Sequence, residues 1–268
     1  MLLQVIRKVT NYLRAVNHQR LVRSCDTKLQ KVLDEISQAD LARLRQVDYV
    51  EELVRRVGLA RDTRDIYGDD ERFMNPISRG LWQIPKQLAE CVVFLSHHQV
   101  QSFVEIGTFT GYTFAFMVGY LDRFNPGLKG LTLDINDCNP VRGLTAERYN
   151  TAFVIGTSKD VAGQSFDLCL IDGDHSFSAV AEDFSEVGCK AKMCLFHDIN
   201  DLNVESASAN EGGVPRFWRD LRDRQRGMEF HEFIKHTRGS RIMGIGLVML
   251  SDKKSPGTPS SARREDAT

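Results

Sequence analysis

Residues 103 to 113 read Phe103-Val104-Glu105-Ile106-Gly107-Thr108-Phe109-Thr110-Gly111-Tyr112-Thr113. Phe103 to Ile106 is a short apolar run interrupted by one carboxylate, too short for a helix and too continuous for a strand with one face in water. It ends in a tight glycine-containing turn that opens a helix near Gly111. That order of elements describes a buried parallel strand and the start of its crossover helix. The turn sets backbone N–H groups and the positive end of a helix at the carboxyl edge of a sheet, where an anionic group belongs.

Downstream the same rhythm repeats. Apolar runs at Gly130 to Ile135, Ala152 to Ile155, Phe166 to Ile171 and Ala191 to Phe196 alternate with helical segments, which is the pattern of a parallel α/β sheet. Two later runs, Met228 to Ile234 and Ile242 to Leu250, are joined by Lys235-His236-Thr237-Arg238-Gly239-Ser240 and read as a hairpin closing that sheet. The segment from about 252, rich in Ser, Pro, Lys and Arg, reads as a disordered tail. The expected fold is a Rossmann-like, seven-stranded, mostly parallel sheet over residues 99 to 251.

Upstream, residues 1 to 98 read as a helical extension. Leu2, Val5, Ile6, Val9, Tyr12, Leu13 and Val16 recur at helical spacing, and Arg7, Lys8, Arg14, Arg20 and Arg23 precede the first acid, Asp26. This basic amphipathic helix has three readings: packing on its own domain or on a second subunit, docking at a membrane surface, or a cleaved organellar presequence. From 27 to 66 apolar residues return every three or four positions among many charges. The stretch Asn75-Pro76-Ile77-Ser78-Arg79-Gly80 breaks the pattern, and a helix from about 83 to 98 leads into the first strand.

The 268 residues, 42% of them hydrophobic, suffice for one α/β domain with additions. Balanced charge, 35 basic against 36 acidic residues, lacks the basic excess of a nucleic-acid binder. Six cysteines without a C-x-x-C pair suggest a reducing, cytoplasmic setting, with Cys169 and Cys194 as small buried hydrophobes. No apolar run approaches the roughly 20 residues that cross a bilayer.

The second run ends at Asp134, and a carboxylate at that strand tip is placed to accept bonds from ribose hydroxyls. Phe109 stands where dinucleotide-binding turns carry the glycine that admits a pyrophosphate, so a smaller carboxylate-bearing ligand suits the turn better than NAD. Glu-Ile-Gly-Thr-Phe-Thr-Gly-Tyr-Thr (105 to 113) is similar to the first motif of class I S-adenosylmethionine-dependent O-methyltransferases. Leu-Thr-Leu-Asp (131 to 134) resembles their acidic second strand, and Gly156-Thr157-Ser158 resembles the turn that flanks the adenine, with Thr157 where the family often has Asp. The resemblance implies a sheet whose last strand is antiparallel. It also implies an S-adenosyl-L-methionine site built from Glu105, Gly107, Thr108, Phe109, Gly111, Tyr112, Asp134, Gly156, Thr157, Ser158 and Asp172. For Glu105 a strand-end carboxylate tying down backbone N–H groups stays open beside contact with the cofactor's ammonium group, and for Tyr112 packing stays open beside cofactor contact.

The densest group of reactive residues is Ile171-Asp172-Gly173-Asp174-His175 at the end of the fourth run, with Phe196-His197-Asp198 ending the fifth. In a parallel sheet these tips are neighbours, and carboxylates gathered there need a cation or a function to relieve their repulsion. A hydroxyl accepting a methyl group must lose its proton, which a positioned base or a divalent metal can promote. This pattern, with Gly-Gly-Val-Pro-Arg-Phe-Trp (212 to 218), resembles metal-dependent small-molecule methyltransferases of the cephalosporin-hydroxylase and macrocin O-methyltransferase-like group. That resemblance implies Mg²⁺ held by Asp172, His197 and Asp198, His175 as the base, and a small-molecule hydroxyl as acceptor. His197 departs from relatives that present two acidic or amide groups here. Two further readings stay open: Asp174 as a helix cap and His197 as a structural histidine. The Asp201 to Gly213 loop reads either as a cover over substrate or as a plain connection, and Trp218 as a pocket wall or as packing.

Overall fold

The computed structural model describes residues 2–61, 71–137, 144–145, 147–225, 228–235 and 241–250. Helices α1 (Leu2–Gln38), α2 (Leu41–Leu44), α3 (Val47–Val57) and α4 (Pro85–Leu95) precede strand β1 (Ser102–Ile106). Then follow α5 (Tyr112–Asp122), β2 (Lys129–Asp134), β3 (Asn150–Ile155), β4 (Leu168–Ile171), α6 (Phe177–Glu186), β5 (Met193–His197), α7 (Leu202–Ser206), α8 (Gly213–Arg224), β6 (Glu229–Phe233) and β7 (Ile245–Met249).

The strands form one sheet in the order β3-β2-β1-β4-β5-β7-β6. β1, β2, β3, β4 and β5 pair in parallel, and β7 lies antiparallel between β5 and β6. The Rossmann-like sheet with an antiparallel last strand is therefore as expected, and so is the final hairpin pairing, from Glu229↔Met249 to Phe233↔Ile245. Residues 236–240 of its connection and the segment from 251 lie outside the described residues.

Side chains alternate across the strands. Phe103, Leu168, Leu170, Leu195 and Leu247 join one core with Leu29, Leu33, Leu53, Leu88, Val92, Phe114 and Met117, so α1, α3, α4 and α5 cover that face. Val104, Ile106, Cys169, Ile171, Cys194 and Phe196 face the other way, into a core with Val180 of α6 and Trp218 and Leu221 of α8. Burial on both faces explains why the strands read as continuous apolar runs. The helices before residue 98 thus share the sheet's own core. Among the described residues no helix is long and apolar enough to cross a membrane.

Local chemistry sets the helix starts. Pro85 opens α4 at a position where its missing N–H costs nothing. The Ser176 hydroxyl accepts from the Ala179 N–H at the start of α6, and Asp201 accepts from Asn203 and Val204 at the start of α7. Helix α1 runs unbroken through Gln38, well past the amphipathic stretch that ends at Val16, since neither glycine nor proline interrupts positions 2 to 38.

Candidate active site

The carboxyl ends of β1, β2, β4 and β5 lie side by side, and the residues singled out from the sequence gather there. Gly107 leaves β1 at φ 97°, and a Cβ built on it would lie 2.1 Å from the Asp172 carbonyl oxygen. Only glycine fits both the left-handed backbone and the contact. The N–H groups of Gly107 and Thr108 donate to the Leu133 carbonyl at 2.9 and 3.1 Å, and Gly111 donates to Thr108 at 2.8 Å before α5 begins. Phe109, a non-glycine residue at φ 47°, stands exposed at the crest of the turn with its N–H donating to Asp134 Oδ2 at 2.9 Å. Its ring meets Trp82 edge-on, 5.7 Å between centroids.

Beneath the turn, the fully buried Glu105 carboxylate accepts from Thr132 Oγ1 at 2.8 Å, and that hydroxyl also bonds Thr108 Oγ1 at 2.6 Å. Burial raises the Glu105 pKa well above the usual carboxylate range; the Thr132 bond opposes this, and Asp172 and Asp134 add to the rise. Such a group ionises readily only when a cation arrives beside it. Asp134 is half-buried at the tip of β2, and its Oδ1 accepts from the Asn136 N–H at 2.9 Å. Next to it, Gly156 donates to the Asp134 carbonyl at 2.9 Å. Exposed Thr157 begins a short turn closed by Asp160, whose Oδ2 accepts from the Thr157 N–H at 2.8 Å.

Two members of the expected cofactor set have their hydroxyls committed elsewhere. Tyr112 is fully buried and donates to Asp26 Oδ1 of α1 at 2.6 Å, with Arg79 paired to the same carboxylate at 3.1 Å. Buried Ser158 donates to Asp183 Oδ1 of α6 at 2.7 Å. Both hold helices around the site.

At the tips of β4 and β5, His197 Nδ1 lies 3.0 Å from Asp172 Oδ1 and 3.3 Å from Asp198 Oδ1, while His175 Nε2 lies 3.3 Å from Asp198 Oδ2. His197 and Asp198 are buried, with 4% and 7% of their side chains exposed, whereas 41% of the His175 side chain reaches solvent. Burial by itself would lower the His197 pKa, but the carboxylates of Asp172 and Asp198 outweigh it and raise it to about 9. The two carboxylates thus favour the protonated ring, whose Nε2 is buried with no hydrogen-bond partner among the described residues. Burial pushes the Asp198 pKa up, and His197 and His175 pull it back. Asp198 sits at φ 62°, a strained backbone for a residue with a side chain, directly beside the cluster.

This arrangement bears on the expected metal. Asp172, His197 and Asp198 do converge, but the ring nitrogen of His197 fills the space between the carboxylates, and its proton supplies the positive charge there. Mg²⁺ favours an oxygen cage and would have to displace that proton and that nitrogen. No group of three His, Cys, Asp or Glu side chains among the described residues is arranged to hold a metal ion. A set of donors with an imidazole nitrogen between the two carboxylates is not the all-oxygen cage that Mg²⁺ favours.

Gln83 was not singled out from the sequence. It is buried in the segment just before α4 and donates from Nε2 to Asp172 Oδ2 at 3.3 Å. Neighbouring Gln87 accepts from the Gly244 N–H at 3.0 Å. Asp174 does not cap α6; Ser176 does, and Asp174 Oδ1 accepts from the Ser176 N–H at 2.8 Å. Trp218 packs rather than lining a pocket: it is buried against Phe196 and Phe230, closes over Gly246, and donates from Nε1 to Glu232 at 2.7 Å. The stretch from Asp201 to Gly213 folds into α7 and a short 3₁₀ turn, and Gly213 abuts the His175 carbonyl, with 2.6 Å to a Cβ built there.

The strand order, the antiparallel β7 and the helices on both faces define the Rossmann-like fold of class I methyltransferases. Two solved structures with this fold are an O-methyltransferase from Bacillus cereus, in complex with SAH, and a cofactor-bound protein from MTB. The first is 13% identical with a TM-score of 0.50, over 82% of this chain and 96% of that one. The second is 15% identical with a TM-score of 0.50, over 82% and 95%. At these identities the likeness is one of fold. No family model matches the sequence, and no curated protein does.

Proposed function

We propose that this chain is an S-adenosylmethionine-dependent methyltransferase that methylates a hydroxyl of a small molecule, a sugar or natural-product intermediate. The observation that carries the reading is the contact between Gly107 and the Asp172 carbonyl, which sets the glycine turn directly against the His175, Asp198, His197 and Asp172 cluster. The fold shared with a Bacillus cereus O-methyltransferase crystallised with SAH supports it.

In this reading Asp134 accepts from the ribose hydroxyls, the turn from Gly107 to Gly111 faces the methionine carboxylate, and Gly156 and Thr157 flank the adenine. Glu105 ionises against the ligand's positive charge. When bound, S-adenosylmethionine supplies an electrophilic methyl group on a sulfonium. His175 takes the acceptor's hydroxyl proton: Asp198 holds its Nε2 side, which leaves Nδ1 to accept. His197 lies between the Asp172 and Asp198 carboxylates and holds them in place beside the turn. A base placed in this way contributes about 10²- to 10⁴-fold.

Metal assistance has no support in the donor set, so transfer is expected to persist without it. The test follows transfer of labelled methyl from S-adenosylmethionine to a panel of hydroxylated acceptors after exhaustive chelation. Turnover that survives chelation and falls about 10²- to 10⁴-fold in His175→Ala is the expected result. Activity abolished by chelation and restored by Mg²⁺ would overturn the assignment of the base.

A further inference from the structure

Helix α1 carries two apolar stripes on opposite sides. Leu13 and Leu33 are twenty positions apart in one unbroken helix, which is about five and a half turns, so they point in opposite directions. Leu33 is fully buried in the core beneath α5, whereas Leu13 is 59% exposed. Val16 and Ile36 repeat the relation, at 45% and 0%. A straight helix that seats the second stripe on the sheet's own core must turn the first one away from it.

Every position from Asn11 to Arg20 is exposed, so about 15 Å of helix stands clear of the other described residues. Tyr12, at 69% exposure, lies on the same side as Leu13 and Val16. In the sequence Leu2, Val5, Ile6 and Val9 share that register, and positions 1 to 25 hold five Arg or Lys residues and no acid. An exposed apolar stripe on an isolated helix calls for a partner.

We infer that residues 2 to 23 form a docking surface for an anionic lipid membrane, with the stripe in the headgroup–acyl boundary and the basic residues at the phosphates. Charge complementarity selects this occupant. A second copy would bring two acid-free basic helices together, like charge against like in either orientation, whereas anionic headgroups supply the missing sign. Arg20 and Arg23 continue the stripe's register toward the body, where their long stems allow the charged heads to reach the headgroups. The inference does not depend on what the active site does.

The test is flotation of the full chain with phosphatidylcholine vesicles, with and without phosphatidylserine, at low and high salt. Binding to the anionic vesicles alone, reversed by salt and reduced more than about tenfold in a Leu13→Glu, Val16→Glu double variant, is expected. An Arg14→Gln, Arg20→Gln variant, altering only exposed side chains, is expected to weaken binding as well, and unchanged thermal melting of each variant shows that the body stays folded. Absence of flotation with anionic vesicles would overturn the proposal, as would equal flotation of the apolar-stripe variant. So would a dimer in sedimentation that the same double variant converts to a monomer.

Discussion

Replacing His197 with glutamine removes the positive charge that lies between Asp172 and Asp198, and the consequence is legible in how stability varies with pH. The His197 pKa rises from an ordinary value of about 6.5 to about 9 in the folded chain. At about 1.4 kcal/mol per unit, the shift corresponds to stabilisation on the order of 3 kcal/mol. Because the folded state holds the proton more tightly than the unfolded state, this stabilisation is fully present below about pH 6.5. It declines as pH rises and is gone above about pH 9. Urea unfolding followed by circular dichroism across that window measures it. The wild-type chain is expected to lose on the order of 3 kcal/mol on going up in pH. His197→Gln is expected to be less stable at the acidic end, with the two carboxylates left uncompensated, and to lack that component of the slope. A wild-type profile that is flat across the window, or a variant with the same slope, would refute the ion-paired account of this cluster.

Other substitutions probe the frame around the site. Gly107→Ala places a Cβ 2.1 Å from the Asp172 carbonyl at φ 97°, and a stability loss of about 1–3 kcal/mol is expected by chemical denaturation, with cofactor affinity lost as the turn shifts. Leu33→Ala opens a cavity in the core that α1 shares with the sheet; a loss of about 2–5 kcal/mol is expected, against almost none for the exposed Leu13→Ala. Asp201→Ala strips an acceptor from the N–H groups of Asn203, Val204 and Met243, and about 1–3 kcal/mol should be lost, with faster hydrogen exchange in α7 as the local readout.

The sheet was legible because its strands are buried on both faces and so carry continuous apolar runs; Phe103 to Ile106 and the two tips at Ile171 and Phe196 fell where the sequence put them. Helix α1 was legible only in part. Its apolar stripe passes to the opposite side between Val16 and Cys25, so the amphipathic pattern that reveals the first half ends there, although no glycine or proline marks a stop. In the site, residue types at strand ends could be read, but their pairings could not. That Asp172, His197 and Asp198 converge follows from parallel neighbouring strands. That the imidazole sits between the carboxylates depends on ring orientation. The contact of Gln83 with Asp172 spans 89 positions and depends on how the segment before α4 docks, for which periodicity carries no signal. The hydroxyls of Tyr112 and Ser158 likewise turned to Asp26 and Asp183, partners set by helix packing rather than by the motifs containing them.

The central claim is that the turn from Glu105 to Gly111, with Asp134, is a site for S-adenosylmethionine. Calorimetric titration of the folded chain with S-adenosylhomocysteine tests it most directly, with Asp134→Ala as the paired variant. The account predicts micromolar binding, weakened at least about tenfold when the ribose carboxylate is removed. Absence of binding at millimolar ligand, in protein whose unfolding is cooperative, would contradict it.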